Sequence, residues 1–143
     1  MTRKQRIALE IFAPPLLGVL LPFAFWQGLA ALRGASGQFL LFQAQDLARS
    51  LIWVYLFGGP PSVGYMAIME WRFARGLDPR SWRAVGLSTL LGLAAGLGIA
   101  LFLVFSWWPH ATVPLNLGGI GLTVGFVLGL VIRRFSRPAP VSL

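Results

Sequence analysis

The sequence predicts an all-α integral membrane protein, a four-helix bundle with both termini on the cytoplasmic side. Three observations lead there. Four apolar stretches are each long enough to cross a hydrocarbon core of about 30 Å at about 1.5 Å per residue. Charge is scarce: 11% of the 143 residues are charged and 57% are hydrophobic, against about 25% charged in an ordinary soluble domain. The basic residues, finally, gather in short clusters between the apolar stretches, as they do in cytoplasmic loops.

The first span covers residues 7–32. A helix starting at Pro14 puts proline where its missing N–H does no harm, and residues 3–12 then form a short amphipathic lead-in at the interface. The run is longer than a signal-peptide core, and Leu32-Arg33-Gly34 makes a poor cleavage site, so the span is read as retained. The second span covers residues 50–70. Gln43, Gln45, Asp46 and Arg49 would be expensive in hydrocarbon, so residues 38–49 read as an interfacial segment before it. Gly58-Gly59-Pro60-Pro61 falls at mid-membrane depth, and helix 2 is expected to kink or break at Pro60-Pro61.

Gly76 suits the left-handed position that ends a helix, and Asp78-Pro79 reads as an N-cap followed by proline at the first helical position. Spans two and three should therefore form a tight antiparallel hairpin. The third span covers residues 84–108 and stops at Pro109. A short outer loop with His110 and Pro114 leads to the fourth span, residues 115–132, which Arg133 and Arg134 close. Residues 136–143 read as a disordered tail, and residues 1–143 as a single membrane domain.

Two patterns orient this map. Arg3, Lys4, Arg6, Arg72, Arg75, Arg80, Arg83, Arg133, Arg134 and Arg137 fall on one side, with Arg33 and Arg49 on the other. By the positive-inside rule the first side is cytoplasmic, in a bacterial-type cytoplasmic (inner) membrane. The tryptophans also fall near predicted span ends, Trp26, Trp53, Trp107 and Trp108 outside and Trp71 and Trp82 inside, as in an aromatic belt.

Composition excludes several chemistries. With no cysteine, the chain has no disulfide, thiolate metal site or cysteine nucleophile. His110 is the single histidine, so neither a bis-histidine haem nor a histidine-rich metal centre can be built within one chain. No cofactor and no metal is expected. The basic clusters are separated by long apolar runs and offer no face to track a phosphate backbone, so nucleic acid is not an expected partner. Membrane lipid is, because an arginine near anionic head groups contributes about 1 kcal/mol. Further copies of this chain, or another membrane protein, are the other expected partners.

Small residues recur every four positions: Ser88, Gly92, Gly96 and Ala100 in the third span, Gly121, Gly125 and Gly129 in the fourth. Residues four apart share a helix face, and small ones let two backbones approach closely in lipid. These stripes pack span three on span four or serve as an oligomer seam. Pro14-Pro15-x-x-Gly18 and Pro60-Pro61-x-x-Gly64 share the pattern PPxxG on helices that cross in opposite directions. Paired proline-interrupted helices point to a transport site as well as to simple kinking.

Three acidic residues stand out. Asp46 and Arg49, three apart, can pair on one helix face, most simply as a solvated interfacial pair, or as a buried functional pair if the second segment starts at Phe39. Glu10 lies near a helix N-terminus with Arg6 four residues before it, where its charge is tolerated. Glu70 lies near a helix C-terminus, where the dipole opposes it, and Met66, Ala67, Phe73 and Ala74 offer it nothing. Its partner must come from elsewhere, with Arg83 or Arg134 as candidates, either as a structural ion pair or in a proton- or cation-coupled role. His110 reads as a solvated loop histidine.

An enzyme needs a nucleophile or an acid–base pair with an orienting partner, and no His/Asp, Ser/Lys or metal-ligand spacing is present; no catalytic residue is assigned. Gln27, Tyr55, Ser62, Tyr65, Thr89, Asn116 and Thr123 are the polar groups available to line a path, but four short helices seldom enclose one alone. The expected role is therefore a non-catalytic accessory or scaffold subunit of a membrane complex. The alternative is a small oligomeric transporter or channel subunit for a small solute or ion. Gln45-Asp46-Leu47-Ala48-Arg49-Ser50-Leu51-Ile52-Trp53 is similar to the second helix of the small subunits of binding-protein-dependent (TRAP-type) transporters. Gly58-Gly59-Pro60-Pro61 then departs from that pattern.

Overall fold

A segment that faces lipid must bond every backbone N–H and C=O within itself, which favours helices. The computed structural model describes residues 1–34, 37–106 and 112–136, with side chains described at 1–34, 51–103 and 114–136. It is all-helical, and among the described residues there is no strand: α1 (Arg3–Leu32), α2 (Gly37–Ala74), α3 (Trp82–Ser106) and α4 (Thr112–Phe135). All four helices are long and apolar enough to cross a membrane.

α1 does not wait for Pro14 to begin. Thr2 and Gln5 form a capping box: the Gln5 amide donates to the Thr2 hydroxyl at 3.3 Å, and the Thr2 amide donates to the Gln5 side chain at 2.8 Å. That reciprocal pair satisfies two of the orphan donors of a helix N-terminus. The expected lead-in over residues 3–12 is thus the first part of one helix that runs on through Pro14, Pro15 and Pro22. Each proline withholds one amide from the carbonyl four residues back, which bends a helix more readily than it ends one. The Tyr55 hydroxyl of α2 donates to the carbonyl of Phe12 at 3.1 Å, beside the two carbonyls that Pro14 and Pro15 leave without an amide donor.

α2 likewise passes uninterrupted through Pro60 and Pro61, and it is one helix from Gly37 onward, so residues 38–49 are continuous with the span they precede. At its far end Gly76 takes φ +95°. The Leu77 amide donates to Arg72 and the Gly76 amide to Phe73, both at 3.1 Å, which is the paired 6→1 and 5→2 bonding of a glycine-terminated helix. The cap of α3, by contrast, is Ser81 and not Asp78. Ser81 N–H closes a turn onto the Asp78 carbonyl at 3.0 Å, the Arg80 amide donates to the Asp78 carboxylate at 3.0 Å, and the Ala84 amide donates to the Ser81 hydroxyl at 3.2 Å. Asp78-Pro79 therefore builds the turn, with proline at its second position, and hands the capping to serine.

α3 and α4 are packed most closely; α1 packs on α2; and the two hairpins meet through α1–α4 and α2–α3. Tyr65, Met69, Val124 and Leu128 form the core between them, with Leu9, Ala13, Leu17 and Leu21 of α1 against it. Polarity is distributed inside out. Phe12, Phe25, Leu90, Leu101 and Leu115 are exposed, while Glu10, Ser62, Glu70 and Ser88 are buried. Exposed apolar flanks, with some polar side chains kept inside, suit helices long and apolar enough to cross a membrane.

The three basic clusters come to one end of the bundle. The Met1 ammonium donates to the carbonyl of Phe135 at 2.6 Å, where it also complements the negative end of the α4 dipole, and Arg133 Nε donates to the carbonyl of Arg80 at 3.0 Å. Arg6 lies 4.5 Å over the ring of Phe73, Arg75 4.1 Å over Trp71 and Arg133 4.0 Å over Trp82. These cation–π contacts place Trp71 and Trp82 in one belt with the arginines.

Candidate functional site

The small-residue stripes of α3 and α4 face each other. A methyl placed on Gly92 would overlap the Gly121 carbonyl oxygen and stand 2.9 Å from the Gly125 Cα. One on Gly121 would overlap the Gly92 carbonyl oxygen; one on Gly96, that of Leu117; and one on Gly129 would lie 2.9 Å from the Val85 Cα. Ser88, fully buried, donates its hydroxyl to the Gly125 carbonyl. Gly86, Gly98 and Gly119, off these stripes, have nothing within 4 Å of such a methyl. The seam that spacing suggests is thus occupied within one chain, backbone on backbone.

Glu70 finds its partners on α1, not in Arg83 or Arg134. Arg6 Nε donates to one carboxylate oxygen at 2.6 Å and Arg3 Nε to the other at 3.1 Å. The two guanidiniums differ in setting: the Arg3 side chain is 74% exposed and Arg6 14%, against 9% for Glu70. Arg6 is therefore the stronger half of the clamp, since solvent weakens the Arg3 contact. The clamp ties the start of α1 to the end of α2.

Glu10 is the surprise. It is fully buried, and among the described residues neither of its carboxylate oxygens has a hydrogen-bond partner. Its helix neighbour Arg6, which the sequence offers as compensation, turns to Glu70 instead. Sequence reasoning passes over Glu10 because a nearby helix N-terminus and an i−4 arginine look sufficient. The available signal was competition: one arginine, Arg6, serves two carboxylates.

From this cluster a polar thread crosses to the second hairpin. Tyr65 Oη lies 2.6 Å from Ser88 Oγ, and Ser88 continues to Gly125, so α2, α3 and α4 are joined by two consecutive bonds. Other hydroxyls turn back on their own helices: Ser62 to Gly58, Thr89 to Val85, Thr123 to Gly119.

Beside the thread lies an apolar cavity of about 340 Å³, lined by all four helices and open to the outside of the bundle. Pro14, Pro15 and Gly18 of α1 line it opposite Gly58, Pro61 and Ser62 of α2. α1 and α2 cross there, since a methyl on Gly58 would sit 3.4 Å from the Pro15 Cβ. The two PPxxG motifs, 46 positions apart in sequence by their first prolines, both reach the cavity, one through Pro14, Pro15 and Gly18 and the other through Pro61, with Gly64 turned away toward open space. Trp53, Phe57 and Tyr65 add aromatic surface, and the glycine seam forms the opposite wall.

The side chains of Asp46 and Arg49 lie outside the described residues, as do His110, Trp107 and Trp108 and the tail from residue 137. Among the described residues no group of three potential metal ligands comes together. No family model, curated protein or solved structure matches this chain.

Proposed function

We propose that the chain is a non-catalytic accessory or scaffold subunit of a membrane complex, held in a bacterial-type cytoplasmic membrane with both termini in the cytoplasm. One observation carries this reading. The hydroxyls on which a transport path would draw are engaged within the protein: Tyr55 on α1, Tyr65 and Ser88 between hairpins, Ser62, Thr89 and Thr123 on their own backbones. Hydroxyls bonded between helices support packing in lipid, which is what a scaffold needs. The gathering of three basic clusters at one end supports a single cytoplasmic face.

The test is the native mass of the complex after gentle solubilisation from its own membranes. Co-purifying polypeptides in fixed ratio are expected. A pure homo-oligomer of the 15.6 kDa chain would count against the accessory reading. Orientation is checked separately by a fluorescent reporter fused after Leu143, which should be bright; an active periplasmic phosphatase at that position would reverse the topology.

A second reading, a small oligomeric transporter, is favoured by Glu10 alone. A buried carboxyl without a partner is costly in a membrane segment, and such residues mark sites of binding or translocation.

A further inference from the structure

Of the two carboxylates within the described spans, Glu70 is held by two guanidiniums and Glu10 by none. Residues 10, 14 and 18 lie four apart and share one face of α1. Pro14 and Gly18 line the apolar cavity, so Glu10 stands one turn beyond them, at the basic end of the same face. Leu9 and Ala13, on either side of it along α1, pack on the core cluster that holds Tyr65, which also lines the cavity. The charged groups nearest Glu10 are those of the clamp at the same end, Arg6 on its own helix and Glu70 on α2. Arg6 is bonded to Glu70, and Arg3 stands largely in solvent. With Glu10 ionised, the buried group of Arg6, Glu70 and Glu10 carries one excess negative charge, which Arg3, 74% exposed, offsets only through solvent-screened contact with Glu70.

We propose that this cavity binds a lipophilic organic cation, an ammonium or phosphonium on an apolar body, with Trp53, Phe57 and Tyr65 as aromatic walls and Glu10 as the counter-charge. The inference extends the transport reading above and is tested on binding alone. The cavity volume falls within the about 300–1,000 Å³ of small-molecule sites. Its lining is apolar but for Ser62, Tyr65 and the Trp53 indole N–H, and both hydroxyls are already bonded, so a ligand rich in hydrogen-bonding groups would lose more than it gained. An anion would be repelled by an ionised Glu10 one turn beyond the lining, with the Trp53 indole N–H as the one donor there that no other group takes up among the described residues. A hard metal ion would need six or more oxygen ligands, and a single carboxylate beside apolar walls does not supply them. A cation with an apolar body suits both features: aromatic faces attract the charge, and a carboxylate acts on it through a low-dielectric interior without direct contact.

The experiment is equilibrium binding of radiolabelled methyltriphenylphosphonium to the full-length chain in detergent, with unlabelled triphenylphosphine as the uncharged competitor. Wild type is expected to bind saturably, with the uncharged competitor at least about tenfold weaker than the unlabelled cation. Glu10→Gln should lower affinity by about tenfold or more with melting temperature and complex size retained. Ala95→Leu, which fills the cavity from α3, should weaken binding with Glu10 intact. Absence of saturable binding to wild type, equal competition by triphenylphosphine, or undiminished binding to Glu10→Gln would each overturn the proposal. Should Glu10→Gln fail to accumulate, the contrast between the two competitors on the unaltered protein decides the matter.

Discussion

The two hairpins of this bundle are held by different means. α3 and α4 touch backbone to backbone along Ser88, Gly92, Gly96, Gly121, Gly125 and Gly129, where a single added carbon would strike a carbonyl oxygen or Cα of the facing helix. α1 and α2 are clipped at one end by Arg3, Arg6 and Glu70 and cross at Pro15 and Gly58, beside a cavity. Between helices surrounded by lipid there is little hydrophobic driving force, so association rests on close packing or on polar bonds. One hairpin uses the first and the other mainly the second. The buried carboxyl without a hydrogen-bond partner among the described residues, Glu10, sits in the half that has no backbone seam.

Substitutions that attack each device should separate them. The largest effect is expected from Gly121→Leu, because the obstacle is the Gly92 carbonyl and backbone cannot move aside cheaply. Overpacking a tight core costs about 1–3 kcal/mol and occasionally more, and this site belongs at or above the upper end. Loss of the monodisperse species on heated size-exclusion chromatography would register it.

Glu70→Gln should come next, at about 2 kcal/mol. Removing one member of a buried ion pair costs about 3–5 kcal/mol, and the partial exposure of Arg6 and wide exposure of Arg3 reduce that. Arg3→Ala at the same clamp should change stability by less than about 1 kcal/mol. If the two variants melted alike, the assignment of Arg6 as the stronger half would fail. Tyr65→Phe should be smaller than Glu70→Gln, at about 1 kcal/mol, since it removes one bond between hairpins and leaves Ser88 bonded to Gly125. Equilibrium unfolding in mixed micelles resolves differences of that size.

Much of the fold was legible because membranes impose a strong period and a strong length. Four spans follow from apolar run length, the Gly76 stop from its left-handed φ, and the α3–α4 contact from four-residue spacing of small side chains. Proline was misread where it was taken to start or break a helix. Pro14 marks no helix start, and Pro60-Pro61 no break, because a long helix with a capped end and lateral support carries a missing amide more easily than an isolated one. Asp78 was misread as a cap because Ser81, three residues later, competes for that role and lies nearer the apolar run. The polar site was half legible. Glu70 stands out from its apolar neighbours, but its partners are 64 and 67 residues away on α1, a pairing that only tertiary geometry reveals. That pairing is also what leaves Glu10 without Arg6, so Glu10 joins Glu70 as a candidate.

The sharpest single measurement compares Gly96→Leu with Gly98→Leu, two positions apart on α3 and identical in chemistry. A methyl at Gly96 would overlap the Leu117 carbonyl, whereas one at Gly98 meets nothing within 4 Å. With melting temperature and complex size read together, Gly98→Leu should match wild type, and Gly96→Leu should melt far lower with no defined smaller assembly. Equal melting of the two variants would contradict an internal backbone seam between α3 and α4. A stable, smaller complex from Gly96→Leu would instead show that the stripe joins separate copies of the chain.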